Sequence, residues 1–520
     1  MRPHRSVDLY AAAHETMSKY GFLWKFPSGV HREAKNLVDT VASAREPGIQ
    51  DLRKLLWSSI DNEDSLDLDQ LAFCESLPHD EIRVRVAIAD VDHYVRRNSE
   101  VDRHAAKNGV SVYAAVQTFP MLPERLSTDL TSLNPGQDRL AVVMDFAVDR
   151  NGGVHGGKVY RALVHNHAKL VYETVGDWLE GKGPLPESIV RIPALAAQVR
   201  LQDRASQRLQ ELRKAKGAME FETIEVVPVI KNGKVLGLKE RHDNRAHHLI
   251  ENFMVAANGV MATFIKQHGY PLIQRVVREP ERWPKIREVA LALGVKLPRD
   301  PDPKALADFL ERERQIHPAQ FPDLSLTVIK LIGKAEYDFT YPQEKSEGHF
   351  GLAVEDYAHS TAPNRRYVDL IVQRILKCVL LKKPLPYTKT ELKDIASWCT
   401  DRDQAAKKVE RFIHKIASAV LLEPRVGEVF EAIVTGATEK GTFVRLLDPP
   451  AEGMVVRRFD GMDVGDKVRV KLVKVSPQRG FVDFEGIALY RQELLAPEKK
   501  PAAVARAPRR RKGFFRRRRR

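Results

Sequence analysis

The chain has 520 residues and a formal net charge of +15, but twelve Lys and Arg with no acid fall in residues 499–520, so the first 498 residues carry only +3. A near-neutral body of this length is expected to hold two to four domains, and a terminal polycation points to polyanionic partners, nucleic acid before membrane. Three widely spaced cysteines (Cys74, Cys378, Cys399) exclude a disulfide framework or a metal knuckle; with no signal-peptide core and no apolar run of about 18 residues, the expectation is a cytoplasmic protein without membrane spans.

Ser6 to about Lys19 reads as a short amphipathic helix capped by Ser6. Residues 31–58 are mixed and carry no assigned chemistry. From Ser59 to Glu75 the chain concentrates acids: Asp61, Glu63, Asp64, Asp67 and Asp69 fall within nine residues beside an apolar run. The alternation Asp67-Leu68-Asp69 predicts both carboxylates on one face of a strand. Like charges that close repel unless a cation neutralises them, and oxygen-only ligands suit hard ions such as Mg²⁺ or Mn²⁺. A calcium loop is excluded by residue type, because Leu66 and Ala72 stand where glycine and glutamate are needed. Taken alone, the stretch leaves a solvent-exposed acidic loop and a hard-metal site both open.

Alternation over 82–95 predicts a strand, and a strand pair spans 139–165 with its turn at Asn151-Gly152-Gly153. Gly152 to Lys158 imitates a phosphate loop, but Val159 replaces the required Ser or Thr and the setting is a hairpin, so that reading is rejected. Helices are expected at 194–216, at 244–267 (long and largely apolar), at 284–293 and 303–315, from about Asn364 to Lys382, and at 389–422. A hairpin is expected at 222–240, about Lys231-Asn232-Gly233. After Gly427, five short alternating strands with glycine-marked turns predict a small closed barrel of OB type. The arginine-rich end cannot bury a core and is expected to be disordered.

Four ordered segments resemble the RNB family of 3′-to-5′ exoribonucleases, the ribonuclease II and ribonuclease R group. The first is Ile60-Asp61 with Asp67 and Asp69; the second is Val86 to Asp90 followed by PMLPERLSTDLTSL (120–133). The third is GAMEFET (217–223) with RAHHLIENFMVAAN (245–258), and the fourth is HFGLAVEDYAHSTAPNRRYVDL (349–370), parallel to the family's YxHxTSPIRRYxDL. The C-terminal barrel is similar to the RNA-binding OB domain of the ribosomal protein S-one type. The resemblance implies an α+β fold: an RNB catalytic domain of mixed β-sheet or barrel with packed helices, then a small all-β OB barrel and a disordered basic tail. The domains would be an N-terminal helical segment (1–50), the catalytic domain (51–422), the barrel (425–486) and the tail (487–520).

The resemblance further implies processive, Mg²⁺-dependent (Mn²⁺ also suits) hydrolysis of single-stranded RNA from its 3′ end to nucleoside 5′-monophosphates, with neither DNA nor membrane as partner. Asp61, Asp67 and Asp69, with Gln70, would form the metal site; Asp69, Asp67 and Arg365 would carry the chemistry. Tyr113, Arg365, Arg366, Glu410 and, on the barrel, Phe443 would contact RNA, and the arginine-rich tail would reach structured RNA or ribosomes. Arg366 reads equally as a structural ion pair, His359 and Tyr367 as scaffold, and His247 and His248 as packing. Three departures from the family pattern stand out. Gln70 replaces the last aspartate, which removes a charge and keeps a second reading open, a catalytically impaired homologue acting as an RNA-binding adaptor. Ala362 and Asn364 replace the usual Ser and Ile. Only about 58 residues precede the acidic stretch, too few for paired cold-shock barrels, so the RNA clamp would fall to the C-terminal barrel, the N-terminal segment and the tail.

Overall fold

The computed structural model describes residues 7–39, 48–231, 233–318, 320–438, 441–462 and 466–490. Ser6, Asn232 and residues 491–520, which include the arginine-rich tail, lie outside these. The chain opens with α1 (Leu9–Lys19) and α2 (Ser28–Asn36). Asp8 caps α1: its Oδ1 accepts from the Tyr10 and Ala11 amides at 2.9 and 3.1 Å, and its charge suits the helix N-terminus.

The central sheet is built from β1 (Ile49–Asp51), β2 (Trp57–Asp61), β3 (Gln70–Ser76) and β4 (Ile82–Ala89), then, beyond α3 (Glu100–Asn108) and the small hairpin of β5 (Val112–Ala114) and β6 (Gln117–Phe119), from β7 (Asp138–Val148) and β8 (Val154–Val171). Its strand order is β1-β8-β2-β3-β4-β7. The long β8 pairs antiparallel with β7 through its first part and parallel with β2 through its last, so the sheet curls back on itself. β4 shows why: its burial alternates at the start, and every residue from Val86 to Ala89 is buried. A strand covered on both faces reads as a continuous apolar run.

Helices α4 (Tyr172–Leu179), α5 (Glu187–Val190) and α6 (Leu195–Ala215) precede the ribbon β9 (Glu225–Lys231) and β10 (Lys234–Arg241), and α7 (Arg245–Gln267) then packs with α6 over the sheet. After β11 (Leu272–Val276) come α8 (Trp283–Ala292), α9 (Pro303–Ile316), α10 (Phe321–Ile332) and β12 (Glu336–Thr340), which pairs with β11. Helix α10 is an element that the sequence does not announce. Its short apolar run between polar connections does not distinguish a helix from a buried strand.

Helices α11 (Tyr367–Leu381) and α12 (Lys389–Leu422) complete the body. The start of α12 carries a capping box between Thr388 and Glu391, and its length touches α1, β5, β10, β12 and the barrel. The barrel strands β13 (Val429–Thr438), β14 (Gly441–Leu446), β15 (Glu452–Arg457), β16 (Lys467–Ser476) and β17 (Phe481–Tyr490) close in the order β13-β14-β15-β17-β16. A buried ion pair holds the barrel to the body: Arg445 on β14 lies 3.3 Å from Asp323 on α10. Among the described residues no helix is long and apolar enough to cross a membrane.

Candidate active site

The acidic residues occupy the loop between β2, which ends at Asp61, and β3, which begins at Gln70. Asp67, Leu68 and Asp69 therefore lie just ahead of a strand, which corrects the expectation that they ride on one. Tertiary bonds hold them instead. The Leu68 amide donates to Ser132 Oγ (3.0 Å), the Leu133 amide to the Leu68 carbonyl (2.9 Å) and the Ala89 amide to the Asp69 carbonyl (3.1 Å). The far side of the loop is clasped by Lys169 of β8, whose Nζ donates to the carbonyls of Glu63 and Ser65 at 2.8 and 2.6 Å. Leu68 is buried while Asp67 is half-exposed, and Asp64 faces solvent. Ser58 pairs with Ala72 across β2 and β3, and the Asp61 and Asp69 carboxylates both feel the charges of Arg365 and Asp67.

The arginine of the fourth segment meets this loop. Arg365 Nε donates to Asp69 Oδ2 at 2.7 Å, joining residues 296 positions apart. The segment carrying Arg365 is fixed from three sides. Asp369, fully buried, accepts the Ala362 amide at 2.8 Å. Asn364 donates its amide to the Thr131 carbonyl and accepts from Thr131 Oγ1, so this departure from the family pattern is a satisfied buried polar pair. The Ser111 amide donates to the Arg365 carbonyl and the Tyr367 amide to the Gly109 carbonyl, both at 2.9 Å. Arg366 is committed elsewhere: Nε and an Nη of its guanidinium grip Asp369 at 2.9 and 2.7 Å. Of the two adjacent arginines, Arg365 is the more open, with a side chain 44% exposed against 22% for Arg366.

Tyr113, on β5, joins the acids from another side: its hydroxyl donates to Asp67 Oδ2 at 3.2 Å. Glu410 of α12 accepts the Tyr113 backbone amide at 2.9 Å, so its carboxylate holds the hairpin. Phe443 is 43% exposed on the barrel strand β14. His359 accepts or donates at Tyr337 Oη (2.8 Å), and the Tyr367 hydroxyl donates to the buried Asp102 (3.1 Å), both as scaffold. His247 stacks on Tyr172 with ring centroids 4.1 Å apart.

Two neighbours of the acids carried no signal in the sequence. Tyr172 follows Val171, the register partner of Asp61, and burial and then the Asp61 charge push its phenol pKa up. Arg241, at the end of β10, donates to Asn62 Oδ1 at 2.5 Å, and the Asn62 amide donates to Asp61 Oδ1 at 2.7 Å. The parallel pairing of β2 with β8 brings Tyr172 there, and the bond to Asn62 brings Arg241.

Burial dominates the electrostatics. It pushes Asp69 up to about 6, against the opposing pull of Arg365, with Asp67 adding to the rise. Burial likewise raises Asp61, again with a contribution from Asp67. Desolvation works against the Arg365 charge, and Asp69 foremost more than offsets it. Burial of Asp61 and Asp69 beside Asp67 thus disfavours their charged forms, a cost that a bound cation would offset. Asp69 Oδ1 and Gln70 Oε1 are buried oxygens without a hydrogen-bond donor, while Gln70 Nε2 donates to the Ile60 carbonyl at 3.1 Å. Among the described residues no three His, Cys, Asp or Glu side chains converge as a ready cage for a metal. Mg²⁺ does not require one, since it keeps several waters and binds through one or two carboxylates plus substrate phosphate. Hard, undonated oxygens beside mutually repelling carboxylates fit such an ion.

Comparison with known proteins bears on the same residues. The family model described as RNB domain matches residues 49–382, and that described as RNase II-type exonuclease C-terminal S1 domain matches 428–486. Ribonuclease R of Escherichia coli (strain K12) is 30% identical over 541 residues, covering 97% of this chain and 64% of the relative. Ribonuclease R of Thermotoga maritima is 30% identical over 492 residues, covering 88% of this chain and 68% of the relative. The structure of Mycoplasma genitalium RNase R in complex with ribose methylated single-stranded RNA superposes with a TM-score of 0.83 at 24% identity, covering 92% of this chain and 78% of that one, a likeness of fold.

Proposed function

Because this chain belongs to the RNB family, we propose that it is a hydrolytic 3′-to-5′ exoribonuclease acting on single-stranded RNA, Mg²⁺-dependent and releasing nucleoside 5′-monophosphates. The observation that carries the reading is the 2.7 Å contact of Arg365 with Asp69, which joins the guanidinium of one segment to the acids of another. Ribonuclease R relatives support the direction of cleavage.

A hard divalent cation, held by Asp61, Asp67 and Asp69 with the Gln70 carbonyl oxygen nearby, would when bound neutralise a phosphate oxygen and lower the pKa of water. The side chains have their own parts. Arg365 offers a planar donor fork to the non-bridging oxygens, and charge building in the transition state draws it from Asp69. The Asp69 carboxylate, with one oxygen free of donors, would orient the attacking water and accept its proton as the water oxygen bonds phosphorus and the P–O3′ bond breaks, the departing 3′-oxygen taking a proton from solvent. Tyr113 presents a part-exposed ring on which a base near the 3′ end stacks irrespective of its identity. Phe443 on the barrel and the arginine-rich tail would hold RNA further upstream. The tail would make phosphate contacts with structured RNA or ribosomes, and the chain would act in the cytoplasm.

The test is a 5′-labelled single-stranded RNA incubated with Mg²⁺ and the wild-type chain or Asp69→Asn. A descending ladder or a single short end product, lost in the variant, is the expected result. Gln70 favours a second reading, an RNA-binding adaptor, and intact RNA that is nonetheless retarded on a gel would establish it instead.

A further inference from the structure

The catalytic arginine and the tyrosine of the site hang from one short piece of backbone, residues 108–113, and the other end of that piece is gripped by the N-terminal segment. Asn108, the last residue of α3, is 3% exposed and makes a reciprocal pair with the backbone of Leu23: the Leu23 amide donates to Asn108 Oδ1 and Asn108 Nδ2 donates to the Leu23 carbonyl, both at 2.9 Å. Arg402 of α12 closes the same segment, donating to the Tyr20 carbonyl at 3.0 Å with its guanidinium between the rings of Phe22 (4.5 Å) and Trp398 (4.8 Å).

The next residue is Gly109, at φ +71°, where a Cβ would lie 2.7 Å from Arg402 Cγ. Only glycine lets the chain turn there against the arginine. Immediately beyond, the Gly109 carbonyl accepts the Tyr367 amide, Val110 bridges to Arg366, and the Ser111 amide donates to the Arg365 carbonyl. Two residues later Tyr113 reaches Asp67. The order along the chain is therefore clasp, turn, arginine support, tyrosine.

We infer that the strap Tyr20–Trp24, clasped by Asn108, is a positioning element of the active site: it sets the register of residues 109–113 and through them the placement of Arg365 and Tyr113. The inference rests on the proposed ribonuclease activity. It assigns to the N-terminal segment a task at the reacting centre, distinct from clamping RNA. Asn108 is a positioning residue, because it acts through backbone that supports Arg365 and touches no substrate itself.

A double-mutant cycle tests it in the full chain. Asn108→Ala is expected to lower kcat by about tenfold or more, because small misplacements of reacting groups are costly. RNA affinity measured without divalent metal should fall by much less than kcat does, since the Tyr113 ring is shifted rather than removed and the phosphate contacts are untouched. In an Arg365→Ala background the same substitution should have little further effect, as expected for residues acting as a unit. A loss that is undiminished in the Arg365→Ala background, an equal loss of RNA affinity, or no loss at all overturns the inference. Should Asn108→Ala not fold, Arg402→Gln, which releases the strap at Tyr20, is put through the same cycle. A wild-type chain inert toward RNA would defeat the proposed function, and the strap is then judged by hydrogen exchange. Faster exchange at the Ser111 and Tyr367 amides in Asn108→Ala supports it, and unchanged protection overturns it.

Discussion

The phenol of Tyr113 donates to Asp67 Oδ2 at 3.2 Å while Glu410 holds the Tyr113 backbone at 2.9 Å, so one tyrosine links an acid of the site to the long helix α12. The ring and the hydroxyl can be separated by substitution. Tyr113→Phe keeps the ring and is expected to slow cleavage by about two- to tenfold through loss of one hydrogen bond to a carboxylate. Tyr113→Ala loses the stacking surface as well, and should weaken RNA binding by about 1–3 kcal/mol, the worth of one stacked base. Dissociation constants and end-product lengths for the two variants check both expectations; equal behaviour of the two would remove the stacking role.

Gln70 occupies the place of the family's last aspartate, with a buried Oε1 that no donor satisfies. Gln70→Asp adds a charged oxygen at that point, and the Mg²⁺ concentration for half-maximal cleavage should fall by about tenfold, ~1.4 kcal/mol of added interaction. Chelation of divalent metal should abolish cleavage while leaving RNA binding measurable on a gel.

Burial pushes His104 and His349 down to about 4. Each is neutral in the folded chain and takes up a proton more readily when unfolded. A depressed folded pKa means that stability is fully present above the unfolded value of about 6.5 and is lost as pH falls toward 4. The thermal midpoint should therefore drop between pH 6.5 and 4. His349 accepts the Leu352 amide at 3.2 Å, a bond that asparagine can imitate without titrating, so His349→Asn should flatten part of that slope. A slope identical to wild type would exclude His349 as a contributor.

Arg445 and Asp323 are both buried where the barrel meets α10. Removing Asp323 leaves the buried Arg445 with the longer 3.9 Å contact to Glu240, so Asp323→Ala should destabilise the barrel's docking by about 2–3 kcal/mol. Burial already raises the Asp323 pKa despite the arginine, which indicates a pair whose desolvation is incompletely offset. The double replacement Asp323→Leu with Arg445→Met should accordingly cost less than either single change. Chemical denaturation and limited proteolysis between α12 and β13 provide the readouts.

The local periods of the chain determined most of the architecture. Alternation marked β4 and the barrel strands, an apolar run marked α7, and the acids and the Arg365-Arg366 pair stood at spacings that resemble one family's. Those features are legible because a period of two or 3.6 residues reports which face of an element is buried, and a charge in a segment is visible wherever the segment goes. The tertiary structure decided the rest. It chose Arg365 over Arg366 for the acids, because Asp369 sits within reach of only one of them as α11 begins. It moved Asp67 and Asp69 off the strand and held them by Ser132, Leu133 and Ala89. It also brought Tyr172, Arg241 and the Leu23 strap to the site, none of which has a spacing that announces it. Contacts between residues so far apart in sequence depend on how elements pack, and packing is set by the summed fit of many side chains, a quantity that no local period records.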